Sequence, residues 1–167
     1  MLVAVSDTHR QDDPGLPTAI RSAITEADQL LHTGDFTTAS VLDAFEDLSA
    51  PLTAVSGNRD APAVLERVPK TATTEWAGRR FLLAHGHEHD ATSLSLLARQ
   101  EEADVIVTGH THRPVIDMVG EYPHVNPGSY ADPRRYQPAY ATVEETTEGI
   151  RVSLRDPDGE VFETTVL

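Results

Sequence analysis

Short apolar runs that stop at a small polar cluster recur along the first two thirds of the chain, and this pattern limits the fold more than any other feature. Val3-Ala4-Val5 opens into Ser6-Asp7-Thr8-His9, Gln29-Leu30-Leu31-His32 into Thr33-Gly34-Asp35, and residues 52–55 into Ser56-Gly57-Asn58-Arg59-Asp60. Residues 80–84 close on His85-Gly86-His87-Glu88-His89, and Val105-Ile106-Val107 on Thr108-Gly109-His110-Thr111-His112. Runs this short and apolar read as buried strands, and helical periodicity fills several of the segments between them. Ile20, Ile24 and Ala27 share one side of a helix starting at Thr18. Val41, Leu42, Phe45 and Leu48 do the same over 39–48, and Leu94, Leu97 and Ala98 over 93–102. Strand and helix in alternation, with polar groups where strands end, is how α/β proteins carry chemistry at the carboxyl edge of a sheet.

Residues 71–75 and 80–84 flank Trp76-Ala77-Gly78-Arg79 as a hairpin, and a short helix is expected at 62–67. Beyond His112 the pattern changes to short strands at 114–118, 122–125, 140–143, 150–154 and 161–166, separated by turns, which reads as antiparallel β. No linker and no internal repeat divides the sequence, so one domain is expected over 1–167. Two sheets packed face to face with helices on their outer faces satisfy this order. Aromatic residues are only 5%, so Val, Leu, Ile and Ala must fill the core.

Charge and cysteine content exclude several functions. Asp and Glu number 27 against 13 Lys and Arg, a net charge of −14, and Lys70 is the only lysine. That field repels a nucleic-acid backbone, and no basic stripe offsets it. Acids dispersed over Asp12-Asp13, Glu46-Asp47, Glu101-Glu102, Glu144-Glu145 and Asp156–Glu160 suggest a surface adapted to high salt, with an ordinary acidic cytosolic protein as the alternative. No run approaches the roughly 20 apolar residues of a membrane span, and the first residues lack a secretory pattern, so a cytoplasmic protein is expected. Zero Cys rules out disulfides, iron–sulfur centres, Cys-ligated zinc and a Cys nucleophile. A metal would have to be held by His, Asp, Glu or Asn.

Those residue types gather where the strands end. Asp7, His9, Asp35, Asn58, His85, His110 and His112 are seven ligand groups at five predicted strand ends, and His32 and His124 alone among eight histidines lie outside the loops. Asp7-x-His9 and His110-x-His112 have i, i+2 spacing, which sends both side chains to one side of an extended stretch. Gly34, Gly57, Gly86 and Gly109 adjoin them, where a missing Cβ lets backbone approach closely. Carboxylate, amide oxygen and imidazole suit Mn²⁺, Fe²⁺, Co²⁺, Ni²⁺ or Zn²⁺. Seven ligands exceed one tetrahedral site but suit two ions sharing a carboxylate.

The series Asp7-x-His9, Gly34-Asp35, Gly57-Asn58, His85-x-His87 and Gly109-His110-Thr111-His112 resembles the calcineurin-like metallophosphoesterases, and within them the small single-domain bacterial and archaeal phosphodiesterase group. The Asn126-Pro127-Gly128-Ser129 turn is similar to one that follows the last motif there. The resemblance implies a four-layer α/β/β/α sandwich of two mixed sheets. It also implies two divalent cations per chain, Mn²⁺ first among those above. Carried over by motif, Asp7, His9 and His112 hold one ion with Asp35 bridging, while Asn58, His85 and His110 complete the second site with Asp35. The implied reaction is hydrolysis of a small phosphodiester by attack of a metal-bridging hydroxide, with phosphomonoesterase and small-nucleotide hydrolase as alternatives.

One position departs from many relatives, which carry a His directly after Gly-Asn where this chain has Arg59. Arginine cannot give up a proton at useful pH, but its fork can pair with a phosphate oxygen. The other expectation for Arg59 is an ion pair with Asp60 or another acid. A leaving-group proton would then come from His87, His89 or water, so the expected catalytic residues are Asn58, Arg59 and His87. His87 and His89 each fit a place near the metals, orienting the ligands, or an exposed place in the loop, with the former favoured for His87 and the latter for His89. Asp60 is expected either to accept from a ligand histidine or to cap the helix at 62–67. Arg10 and Arg113 are expected at the pocket rim, and His32 and His124 in packing or at the surface. A scaffold role, as in a membrane-trafficking coat subunit of this layout with an impaired metal site, is the reading from another class. A long-DNA nuclease is a further enzymatic rival, set aside because neither a capping domain nor a basic patch is present. The partner expected is a small phosphoester, and oligomeric state is left open.

Overall fold

The structure is a computed structural model describing residues 1–167, with eleven strands and four helices. They follow in the order β1 (Leu2–Val5), α1 (Thr18–Glu26), β2 (Gln29–His32), α2 (Ala39–Glu46), β3 (Leu52–Ala54), α3 (Pro62–Leu65), β4 (Thr71–Trp76), β5 (Arg79–Ala84), α4 (Ala91–Gln100), β6 (Val105–Val107), β7 (Pro114–Val119), β8 (Tyr122–Pro127), β9 (Tyr140–Thr146), β10 (Gly149–Arg155) and β11 (Val161–Val166). One sheet has the order β11-β10-β9-β1-β2-β3, with β1, β2 and β3 parallel and the rest antiparallel. The other has the order β4-β5-β6-β8-β7, with β5, β6 and β8 parallel.

Strand alternation explains the layers. Leu2 and Ala4 of β1 join Leu31, Phe81, Leu83, Val105, Val107, Val125 and Val143 in the core between the sheets. Val3 and Val5 pack instead with Ile20 and Ile24 of α1 and with Val41, Leu42 and Phe45 of α2. In the second sheet Leu82, Ala84 and Ile106 pack with Leu94 and Ala98 of α4. Strands covered on both faces have no polar side to alternate with, which is why they read as continuous apolar runs. The result is the α/β/β/α sandwich expected from the sequence. α4 begins at Ala91 and not Ser93, because Asp90 and Ser93 form a reciprocal capping box with bonds of 2.8 and 2.9 Å. No helix is long and apolar enough to cross a membrane.

The expectation of an all-antiparallel last third needs correction. β9, β10 and β11 are antiparallel, and so is β7 against β8, but β8 lies parallel to β6. The β7–β8 hairpin inserts its second arm against β6, so the carboxyl end of β8 emerges beside that of β6. That direction brings Asn126 and Ser129 to the edge where the polar clusters lie.

Candidate metal centre

Backbone hydrogen bonds join the loops at that edge. Asp7 N–H donates to the Gly34 carbonyl (3.0 Å), His9 N–H to that of Asp35 (3.0 Å) and Gly109 N–H to that of His85 (3.1 Å). Of nine non-glycine residues with positive φ, five lie here: Asp7 (51°), His9 (47°), Asp35 (61°), His110 (65°) and His112 (59°). A left-handed conformation costs a side-chain-bearing residue about 1–3 kcal/mol and persists where its surroundings over-determine it. Here it bends each chain end so that the side chains converge.

Three buried polar atoms in this cluster have no hydrogen-bond partner: Asp7 Oδ1, His9 Nε2 and His112 Nε2. They face one another, with Asp7 Oδ1 at 3.4 Å from His112 Nε2 and 3.9 Å from His9 Nε2. Buried groups this polar carry a desolvation cost unless something binds them. Each is held from its far side. Asp7 Oδ2 accepts from the Ser6 hydroxyl (2.7 Å) and His110 N–H (2.9 Å), and His112 Nδ1–H donates to the Asp132 carbonyl. That last bond fixes the tautomer and leaves the His112 Nε2 lone pair aimed inward.

A second convergence lies alongside. His85 Nδ1–H donates to the Thr33 carbonyl (2.7 Å), and its Nε2 lies 3.1 Å from Asn58 Oδ1 and 3.4 Å from Asp35 Oδ2. His110 Nδ1 is also 3.1 Å from Asn58 Oδ1. Asp35 Oδ1 accepts Arg59 N–H (2.7 Å), while its Oδ2 stands 3.3 Å from His9 Nε2. Two sets of three side chains could thus each hold a cation: Asp7, His9 and His112, and Asp7, Asp35 and His85. Hard carboxylate oxygens and borderline imidazole nitrogens, with no thiolate, fit a pair of divalent transition ions.

Charges are balanced accordingly. Burial, which the neighbouring His85 only partly offsets, pushes the Asp7 carboxyl up to about 7. Burial pulls the His85 imidazole down, but Asp35 and Asp7 outweigh it and hold His85 above the usual histidine range. Burial lowers His9, His110 and His112, and the Arg134 charge lowers all three further. A cation bound at Asp7 would compete with the proton that burial favours there.

A profile of the calcineurin-like phosphoesterase superfamily domain matches residues 1–148. The chain belongs to this superfamily. It is 35% identical over 144 residues, 83% of each chain, to a probable metallophosphoesterase of Methanothermobacter thermautotrophicus. It is 35% identical over 106 residues, 60% of this chain and 56% of the other, to the phosphodiesterase YfcE of Escherichia coli. The solved structure of the Escherichia coli phosphoesterase Yfce has the same fold, with a TM-score of 0.76 at 24% identity, covering 99% of this chain and 98% of that one. Family, fold and the paired ligand sets support a metal-dependent phosphoesterase reaction.

The metallophosphoesterase site brings together all seven ligand candidates, with His87 beside them, and leaves other expected residues elsewhere. His87 is exposed, its ring 5.2 Å from that of His85 and 6.0 Å from that of His110. Arg10 folds back over Gly15 within the loop that follows His9. Asp60 neither meets a ligand histidine nor caps α3. It is buried, and its carboxylate accepts N–H groups of Asp35 (3.2 Å), Thr37 (2.8 Å) and Gly57 (2.8 Å), binding two loops together. His32 is a packing residue, stacked on Phe36 at 3.6 Å, and it also accepts Gly34 N–H at Nδ1 (3.1 Å) and bonds Thr8 Oγ1 through Nε2 (2.8 Å). His124 bridges Thr108 and Asp117.

Two supports are absent from the sequence expectations. Asn126 Nδ2 donates to the Gly109 carbonyl (2.7 Å), and Ser129 Oγ donates to that of Asp7 (2.8 Å). The Asn126–Ser129 turn was the available signal, but nothing local says which loops it reaches.

Chelator-treated protein titrated with Mn²⁺ is expected to saturate near two ions per chain. Protons on Asp7 compete with the cation, so affinity should weaken as pH falls through about 7. Saturation at one ion with full activity would exclude a dinuclear centre, and equal affinity on both sides of neutrality would contradict the proton competition.

Proposed function

We propose that this metallophosphoesterase hydrolyses small phosphodiesters, with Mn²⁺ foremost among the cations it uses. The observation that carries this reading is the cavity of about 470 Å³ lined by His9, Gln11, Thr37, Asn58, Arg59 and Asp60, with no apolar side chain. Arg59 makes no ion pair with Asp60 or any other acid, so its fork is free for a phosphoryl oxygen. Beside Asn58 stands a cation where many relatives have an imidazole, so the chain offers charge stabilisation there and no proton. That favours leaving groups that depart without one. The Escherichia coli relative, a phosphodiesterase by name, supports the same preference.

In this proposal Asp7, His9 and His112 would hold one cation and Asn58, His85 and His110 the other, with Asp35 shared between them. When bound, the cations supply an activated water and positive charge for the phosphoryl oxygens. Asn58 orients the phosphate, Arg59 stabilises its developing charge, and His87 stands near enough to relay a proton through water. Residues 1–167 act as one catalytic domain in the cytoplasm.

Metal-loaded protein should turn over bis(p-nitrophenyl) phosphate with higher kcat/KM than p-nitrophenyl phosphate. Arg59→Ala should lower kcat/KM for the diester by roughly 10–100-fold, about 1.4–2.7 kcal/mol of transition-state stabilisation. A monoester preference would favour the phosphomonoesterase alternative, and loaded protein without turnover the scaffold. Unchanged activity in Arg59→Ala would show that Arg59 does not meet substrate.

The net charge of −14 adds a proposal of salt adaptation. The Debye length falls from about 10 Å at 0.1 M salt to below about 3 Å at 2 M, relieving self-repulsion. The unfolding midpoint of metal-loaded protein is expected to rise by several degrees between those KCl concentrations, and equal midpoints would remove the claim.

A further inference from the structure

Cations are scarce in this chain, and many are matched with acids. Arg67 pairs with Asp43 and Glu46, Arg80 with Glu75 and Glu102, Arg79 with Asp104, and Lys70 with Glu88. The segment Asp132-Pro133-Arg134-Arg135-Tyr136 is different. It is anchored to the metal centre, because the Asp132 carbonyl accepts from His112 and Asp132 N–H donates to Ser129 Oγ (2.8 Å), which itself donates to the Asp7 carbonyl. A turn closed by Tyr136 N–H on the Pro133 carbonyl (2.9 Å) and a left-handed Arg134 (φ 54°) shape its tip. Arg134 and Arg135 are both exposed there, and with Thr111 and Tyr136 they line an open cavity of about 280 Å³.

The lining is arranged to donate. Arg134 approaches an acid only through Nε, 3.9 Å from Asp132, which leaves both terminal nitrogens free. Arg135 Nη2 donates to the Tyr136 hydroxyl (3.0 Å), and its guanidinium lies 5.2 Å from the ring centre, so the ring holds one edge of the fork while the rest stays open. Thr111 Oγ1 accepts from Asn126 Nδ2 (3.1 Å) and Arg113 N–H (3.3 Å), leaving its O–H to donate. Two forks and a hydroxyl around one cavity match the oxygens of a phosphate. In a chain whose overall field repels anions, that local charge lies beside the metal centre, since Thr111 falls between His110 and His112 and Asp132 is bonded to His112.

We propose that this cavity binds a second phosphate of the substrate, one that is not itself attacked. Resting on the hydrolytic reading above, it narrows the substrate class to phosphoesters that carry another phosphate on one arm.

Metal-free protein lacks the cations that would hold the reacting phosphate, so inorganic phosphate is added to it and read at the residues of this cavity, which separates it from binding at Arg59. Backbone amide NMR signals of Thr111, Arg134, Arg135 and Tyr136 should shift in a saturable way, and the shifts should vanish in Arg134→Ala/Arg135→Ala. Arg135→Ala alone, which keeps the left-handed Arg134, should weaken them. With metals present, the p-nitrophenyl ester of thymidine 5′-phosphate is compared with and without a 3′-phosphate. The phosphorylated substrate should be favoured about tenfold in kcat/KM, and the ratio should fall towards one in the double variant. It should also fall in about 1 M KCl, where charges are screened beyond about 3 Å. Absence of phosphate-induced shifts at these four residues, or a ratio unaltered in the double variant, would overturn the proposal. Failure of loaded wild-type protein to cleave either ester would defeat the hydrolytic reading, while the phosphate titration would still decide the cavity.

Discussion

Asp35→Asn is expected to remove nearly all turnover, by about 10³-fold or more, a loss of roughly 4 kcal/mol in transition-state stabilisation. Each central carboxylate has one oxygen committed to the protein and one free. For Asp7 the free Oδ1 faces His112 (3.4 Å) and His9 (3.9 Å), both in the first set. For Asp35 the free Oδ2 faces His9 (3.3 Å) and His85 (3.4 Å), one from each set. Asp35, whose free oxygen reaches one histidine of each set, is therefore the carboxylate proposed as the bridge, and Asp7, which belongs to both sets, is the alternative. An amide at position 35 cannot satisfy both ends. If its NH₂ turns towards Arg59 N–H, two donors face each other where a 2.7 Å bond stood. If it turns inward, a ligand lone pair and a negative charge are lost from between two cations. His9→Ala removes a ligand from one ion only, and water can fill that place. At matched metal loading on a diester, with circular dichroism showing both variants folded, Asp35→Asn should be the more damaged. Near-normal turnover in Asp35→Asn with two ions bound, alongside an inactive His9→Ala, would move the bridge to Asp7.

The parts of this molecule legible in sequence are those set by local pattern. Val3-Ala4-Val5 reads as a strand because both its faces are covered, and Asp7, His9, Asp35, Asn58, His85, His110 and His112 read as one cluster from their chemistry and their place at strand ends, where the fold brings them together. The direction of β8 is not legible. Tyr122-Pro123-His124-Val125 has the same pattern whether its neighbour runs parallel or antiparallel, and only the insertion of β8 beside β6 decides. With the direction goes the role of Asn126 and Ser129, which hold loops ending 17 and 122 residues away in sequence.

Backbone conformation is equally hidden. Asp and His at Asp7, His9, Asp35, His110 and His112 signal metal binding, but nothing about them announces a left-handed φ, which is imposed by the strands they leave. Asp60 shows the same limit from the side-chain direction. An acid before a proline-started helix suggests a cap, yet the three N–H groups it accepts come from two loops that meet only in the folded chain. The candidate ligands are visible by type, and the residues that position them become visible only through distant contacts.

Gly57→Ala tests that positioning without replacing a ligand. A Cβ at residue 57 would lie 2.1 Å from Asp35 Oδ1, 2.5 Å from Asp35 N and 2.8 Å from Asp35 Cγ. Real Cβ atoms do not approach so closely, and the second contact is backbone, so rotating the carboxylate away is not enough. Gly57 is also held by its own N–H bond to Asp60 (2.8 Å), which resists the opposite movement. Asp35 must shift, breaking its bond with Arg59 N–H and withdrawing Oδ2 from His9 and His85. A displacement near 1 Å at a reacting centre costs about 100-fold in rate, and overpacking costs about 1–3 kcal/mol of stability. Gly57→Ala is therefore expected to lose at least about 100-fold in kcat/KM and to bind fewer than two Mn²⁺ per chain while still folding. Gly78→Ala is the control. It introduces a side chain at φ 69° in the β4–β5 turn, where nothing lies within 4 Å. It should lower the unfolding midpoint slightly through backbone strain and leave metal binding and turnover intact. If Gly57→Ala binds two ions and turns over diester as fast as this control, Asp35 is not held by the close approach of residue 57, and the bridge tolerates movement that the geometry forbids.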